Sequence, residues 1–293
     1  MWQYKLVAIS TDGLIFAIIA LGLLVSFHWG RFPDLTPDGS FIMGAAGYAL
    51  FANAGWSCVI AICFGILGGV VAGMITAALN EIARVPAVIA GLLVSASAYS
   101  LVWLAQGKPN VFLKESAMLV GANIPEHNEI FAIVVVATCV LLSIMLYVFA
   151  RTLWGIRLRA LGENPRLALD LNTRGAIYTF GALGISNGIV GLAGALFVQR
   201  SFASDINMGT GITVTGLAGM VLGMLIARPP APVGRLVLSI VLGAVAYRAA
   251  LFATLELGLP AEAFRLASSA LIVVAFVVTR ARGAAILRSL RWT

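Results

Sequence analysis

Charge is what this sequence has least of. Only 11 % of its 293 residues are Asp, Glu, Lys or Arg, against roughly a quarter in a soluble domain. A mean hydropathy of +1.01 is too apolar for a surface that faces water. That excludes a soluble globular enzyme, a disordered chain and a coiled coil. Cysteine is scarce as well: Cys58, Cys63 and Cys139 all lie in apolar runs. An odd count inside such runs argues against a disulfide framework and a zinc site. Histidine occurs only at positions 28 and 127. There is no HExxH, no GxSxG, no nucleotide P-loop and no cluster of histidines with carboxylates. The chain therefore does not read as an enzyme, and no cofactor or metal is assigned to it. Its start, with Lys5 followed by Asp12 and Gly13, lacks the basic head and small-residue cleavage site of a signal peptide.

What is there is hydrocarbon length. Apolar runs cover 13–29, 40–54, 57–79, 86–106, 130–150, 175–198, 211–228, 234–253 and 263–280. Most are long enough to cross a bilayer as helix. Transmembrane strands would instead alternate in polarity over about ten residues. The second run is short and the seventh is rich in glycine, so the sequence predicts an all-α polytopic membrane protein with eight or nine crossings. Residues 1–293 form one transmembrane domain in this reading, and the longest loops are 107–129 and 151–174.

The net charge of +7 does not point to nucleic acid, because the basic residues are spread over loops. Strict alternation places Arg31, Arg84, Arg151, Arg157, Arg159, Arg166, Arg174, Arg228, Arg235, Arg280, Arg282, Arg288 and Arg291 on one side. Lys5, Lys108, Lys114 and Arg200 fall on the other, with most of the acids. Such a bias marks the arginine-rich side as cytoplasmic. The C-terminus and loop 151–174 are then cytoplasmic, and nine crossings put the N-terminus outside.

Small residues recur four apart. Gly65, Gly69 and Gly73 form one stripe, Gly184 and Gly188 a second, Gly219 and Gly223 a third. Lipid supplies no hydrophobic force between helices, so close backbone approach must hold them together. Each stripe serves either packing within the chain or a seam between two copies.

Four features stand out from the apolar background. In 30–41, Pro33 and Pro37 cannot continue a helix. Thr36, Pro37 and Asp38 read as N-cap, N1 and an acidic N2, so a helix starts near Pro37 with Asp34 and Asp38 at the break. This is either a solvated turn or a broken helix lining a cavity or meeting a partner. In 151–174, Gly162 permits a turn and Asn164-Pro165 reads as another N-cap and N1 pair. A short helix over about 165–171 follows, its apolar surface made by Leu167, Leu169 and Leu171. It suits docking to another protein, or lying on headgroups. In 201–211, Asp205 and Asn207 can cap while Gly209 and Gly211 allow a tight turn; this is a half-helix start or a plain external loop. Lastly, Arg248 and Arg265 lie in or at the edge of apolar runs. Arg248 is either paired, with Glu256 or Glu262 as candidates, or snorkels to headgroups.

Several of these stretches resemble one family. Residues 157–174, with Arg-Ala-Leu-Gly-Glu-Asn-Pro at 159–165 and Ala168, resemble the cytoplasmic coupling loop of ABC importer permeases of the branched-chain amino-acid type. Phe32 to Phe41 followed by Gly44-Ala-Ala, Gly107 to Asn110, Asp205 to Gly209, and Tyr247-Arg248 with Gly258-Leu-Pro resemble a subgroup associated with tryptophan, tyrosine or other amino-acid-like substrates. The likeness runs over about 13–280. Asn172-Thr173 stands where a Gly-Ile-Asn-like turn is expected.

The resemblance implies a multi-pass subunit of a bacterial inner membrane that forms the path for a small polar solute. It implies three partners: an ATP-hydrolysing subunit docking from the cytoplasm, an external substrate-binding protein, and a second permease, most simply an identical copy. Glu163, Asn164, Pro165, Arg166, Leu167, Leu169 and Leu171 are then the coupling residues. At the two breaks, the neutral donors Thr36, Ser40, Asn207 and Thr210 are the pathway candidates. Asp34, Asp38 and Asp205 cap helices or touch partner subunits. An ion-coupled secondary transporter is the alternative; it calls for related halves with midplane ion sites, and no clear internal repeat is visible.

Overall fold

The computed structural model describes residues 2–119, 127–164, 175–228, 231–256 and, from the last span, Ala270, Val273 and Val277. Nine α-helices are described: α1 (Trp2–Leu23), α2 (Pro37–Asn53), α3 (Cys58–Glu81), α4 (Ala87–Gln106), α5 (His127–Arg151), α6 (Leu153–Glu163), α7 (Gly175–Ser201), α8 (Ile212–Ala227) and α9 (Val233–Glu256). α1 continues as one π-helical turn, Leu24–Trp29, and two strands, β1 (Asn110–Phe112) and β2 (Ala203–Asp205), pair antiparallel. Among the described residues, seven helical spans are long and apolar enough to cross a membrane. The expected span 263–280 lies almost wholly outside the described residues. The remaining expected crossing is α2, only 17 residues long.

α2 is short because it starts partway through the hydrocarbon. Asn187, to which its first turn is tied, lies near the middle of the 27-residue α7. From there 17 residues extend about 25 Å, far enough to reach β1 at one end of the molecule. Residues 30–36 bring the chain back from the opposite end without forming a helix. Non-helical backbone is tolerated at that depth only when protein satisfies it. Here Asp34, Thr36 and Pro37 are all buried.

The two ends of the bundle are distinct. At one, Trp29 stacks on Phe149 with ring centroids 6.2 Å apart, and α6 lies across them. Thr152 caps α6 by accepting from Gly155 N at 3.2 Å, and Trp154 packs on Tyr178, centroids 4.8 Å apart. This end carries most of the described arginines, including Arg31, Arg84 and Arg228. Each of these three holds a left-handed backbone where a helix stops, with φ of 51°, 57° and 55°. At the other end, the β1–β2 ribbon pairs Asn110 with Asp205. Tyr48 Oη donates there to the Ala117 carbonyl at 2.6 Å.

The glycine stripes pack within the chain. A Cβ at Gly69 or Gly73 would run into the carbonyls of Asn187 or Leu183 on α7, and one at Gly44 into Gly191. Likewise Gly219 and Gly223 receive Ala244 and Ile240 of α9.

The loop 151–174 departs from its expected form. A helix was expected only from residue 165, after a turn at Gly162. Instead α6 runs straight through Gly162, whose missing side chain lets α6 lie against the Trp29 carbonyl. Asn164 closes α6 as its C-cap in extended backbone, φ −140°, and donates its amide to the Ala160 carbonyl at 2.9 Å. The expected helix at 165–171 lies outside the described residues.

Candidate functional site

The break at 34–40 is the junction of the molecule. Asp34, fully buried, accepts from Thr36 N at 2.9 Å and from Asn187 Nδ2 at 2.7 Å. Ser40 Oγ donates to the other side of the same amide, Asn187 Oδ1, at 2.7 Å. Thr36 Oγ1 and Thr76 Oγ1 of α3 share a hydrogen bond of 2.7 Å. Ser95 Oγ of α4 donates to the Leu35 carbonyl at 2.8 Å and accepts from Gly39 N at 3.1 Å. Five residues of one short segment thus bind α3, α4 and α7. Asp34 is the one acidic residue among these groups, and it accepts from two amides.

Asp38 faces the opposite way. Its Oδ1 accepts from Thr213 N at 2.7 Å and Thr213 Oγ1 at 2.6 Å, and its Oδ2 from Gly211 N at 3.1 Å. Gly211 itself has no capping side chain, so α8 borrows its cap from α2. A carboxylate there also meets the partial positive charge of the helix start.

A second cluster lies beyond Asp38, next to the strand ribbon. Asp205 Oδ1 accepts from Asn207 N at 2.6 Å, capping a single 3₁₀ turn, Ile206–Gly209. Thr210 Oγ1 lies 3.3 Å from Tyr99 Oη, and both Asn207 and Thr210 are exposed. Gln106 Nε2 donates to Ser204 Oγ at 2.7 Å.

The candidate residues therefore separate. Asp34, Thr36 and Ser40 meet in the buried junction. Half-buried Asp205 and exposed Asn207 and Thr210 form a rim, and Asp38 lies between the two. Two expectations are corrected. Thr36 occupies the position before Pro37, but its hydroxyl turns to Thr76 and caps nothing. Thr36 and Ser40 also face no open space, since both are 0 % exposed. Of the coupling set, Glu163 and Asn164 are exposed at the end of α6; Pro165, Arg166, Leu167, Leu169 and Leu171 lie outside the described residues. Arg248 finds a partner the sequence did not suggest, Asp12, at 2.9 Å, and Asp12 also pairs with Arg200 at 3.3 Å. Glu256 and Glu262 lie where side chains are not described.

Sequence reasoning missed Asn187, Thr76 and Ser95. Asn187 had a signal: it is the single amide inside the glycine-rich run 181–198, and a polar side chain at that depth is costly unless bonded across helices. Thr76 and Ser95 sit in runs where a hydroxyl can satisfy itself on its own helix, so nothing singled them out.

Buried polar contacts at the junction thus unite a broken helix with continuous ones, beside a partly exposed polar rim. The profile of the family described as branched-chain amino acid transport system, permease component, matches residues 5–277. The chain belongs to this family. It is a membrane permease subunit of an ABC transport system, not an enzyme. Family membership implies an ATPase and a binding protein as partners. A tyrosine transport system permease protein of Clostridioides difficile (strain R20291) is 30 % identical over 275 residues, covering 94 % of this permease and 90 % of that one. The autoinducer 2 import system permease protein LsrC of Salmonella typhi is 28 % identical over 196 residues, 65 % of this permease and 54 % of that one. Two solved structures share the fold. PsaBC from Streptococcus pneumoniae in complex with Fab superposes with TM-score 0.56 at 13 % identity, over 94 % of this permease and 90 % of that chain. A transporter described as metal-chelate type ABC, inward-facing, gives 0.54 at 18 % identity, over 95 % and 87 %.

Proposed function

We propose that this permease imports an amino acid or a similar small polar solute across a bacterial inner membrane, working as one of two identical subunits. The observation that carries the substrate class is the likeness to a tyrosine transport permease along nearly the whole chain. In this reading the arginine-rich end and the C-terminus are cytoplasmic. The ATPase docks there on the end of α6, with Glu163, Asn164 and the following Pro165, Arg166, Leu167, Leu169 and Leu171. The binding protein delivers solute at the ribbon end, and Asn207 and Thr210 offer it neutral hydrogen bonds. Asp34 and Asp38 hold the helices that must move, and Asp205 shapes the rim. Thr36 and Ser40 act through the junction they lock.

Reconstitution with the ATPase and binding protein tests this. ATP-driven uptake of an aromatic or branched amino acid is expected, reduced by Asn207→Leu with Thr210→Leu at equal membrane levels. Uptake driven by a cation gradient without ATP would instead support the secondary-transporter reading. For sidedness, cysteines at Ala160 and Leu290 should resist an impermeant thiol reagent applied to intact cells.

A further inference from the structure

A groove of about 470 Å³ runs between α1, α5 and α9, walled by Leu14, Val136, Val140, Tyr147, Gly234 and Val241. It is separate from the junction and from the rim. Its few polar groups are already used: Ser143 Oγ donates to the Cys139 carbonyl at 2.8 Å, and Tyr147 Oη accepts from Arg151 at 2.9 Å. Nothing in it would hold a polar solute or an ordered water, which needs several polar neighbours.

Two features say what does fit. The first is length. Val136 and Tyr147 are eleven helical steps apart, about 16 Å, and half of a bilayer's hydrocarbon is about 15 Å. The groove therefore covers one leaflet, from its polar edge to the midplane. The second is charge: beyond the Leu14 end of the groove Asp12 is paired with Arg200 and Arg248, whereas the Tyr147 end carries two arginines. Arg151, one turn beyond Tyr147, lies with its guanidinium 5.4 Å from that ring's centroid. Arg235 follows Gly234, whose backbone abuts the same tyrosine ring, and both arginines are exposed. Neither α5 beyond Glu129 nor α9 before Glu256 carries an acidic residue. Those two helices thus give the arginines no counter-ion, and among the described residues neither arginine makes an ion pair, which leaves the mouth open to an anion.

We propose that the groove holds one acyl chain of an anionic phospholipid, with its headgroup phosphate against Arg151 and Arg235. Basic pockets between transmembrane helices select anionic headgroups in this way. The tyrosine serves twice, as a wall for the chain and as the tether that keeps Arg151 at the mouth.

The test is mass spectrometry of the intact purified permease, with bound lipid retained. It is exposed to phosphatidylglycerol and phosphatidylcholine carrying the same acyl chains. One tightly held phosphatidylglycerol per chain is expected, preferred roughly thirtyfold from two arginines near the surface. R151Q with R235Q should abolish that preference, and Val140→Trp should lower retention of both lipids. Arg151, Arg235 and Val140 are exposed, so these variants should still fold, which their unfolding midpoints would verify. Equal retention of the two headgroups, or a preference untouched by R151Q with R235Q, overturns the proposal. So does a disulfide formed by Val140→Cys with its counterpart in a second copy, or with Val273→Cys of the same chain. Those results would assign the groove to the second copy or to the C-terminal span.

Discussion

α5 and α7 are nearly equal in length, 25 and 27 residues, yet they do opposite work. The α5 span is the more apolar, and only 28 % of it is buried within the protein; for α7 the figure is 78 %. In a water-soluble protein the more apolar helix goes inside. Here the solvent is hydrocarbon, so large aliphatic side chains such as Ile133, Leu141 and Met145 gain nothing by leaving it. What goes inside is what lipid cannot satisfy: the amide of Asn187, and backbone that glycines leave bare for close packing. The difference teaches that membrane burial here is written in small and polar residues, not in hydrophobicity.

The sharpest way to break that contrast is Asn187→Leu, which makes α7 resemble α5. An ordinary interhelical hydrogen bond in a membrane is worth about 0.6 kcal/mol. Leaving a buried polar group without its partner costs about 1–3 kcal/mol, so the loss of Asn187 should be governed by Asp34. The unfolding midpoint in detergent should fall accordingly, and Asp34→Leu added to Asn187→Leu should recover much of the loss. If the double variant is no better than the single, Asp34 does not depend on Asn187.

Gly69→Val comes next. Its Cβ alone would meet the Asn187 carbonyl, and overpacking costs about 1–3 kcal/mol. Asp38→Ala removes a cap worth about 1 kcal/mol. Its effect should be local, seen as faster amide exchange at Gly211 and Thr213 with little change elsewhere. Leu141→Ala on the lipid face should lie within about 0.5 kcal/mol of the parent. A large loss there would mean that another protein surface, not lipid, covers α5.

The sequence made the fold legible because each crossing is a long apolar run, and their ends were set by arginines, glycines and prolines. The helix start at Pro37 was legible for the same reason: proline fixes φ and lacks a donor. The function of 34–40 was not. Its partners are 40 to 153 residues away in sequence, and no local pattern reveals which helix faces which. α6 was hidden by Gly162, which reads as a turn but serves as a contact. Asp38 was recognised as a helix-start residue, but the helix it caps is α8, a service only tertiary structure can assign.

The junction also sets an order of events during synthesis. Asp34 and Asn187 are 153 residues apart, and chains grow at about 5–20 residues per second. For roughly 8–30 s after Asp34 is made, its partner does not yet exist. During that interval the extended segment 30–36 has no α7 to satisfy it, and it cannot take up its final depth among lipids. Segment 30–36 therefore settles among the helices only once α7 has arrived.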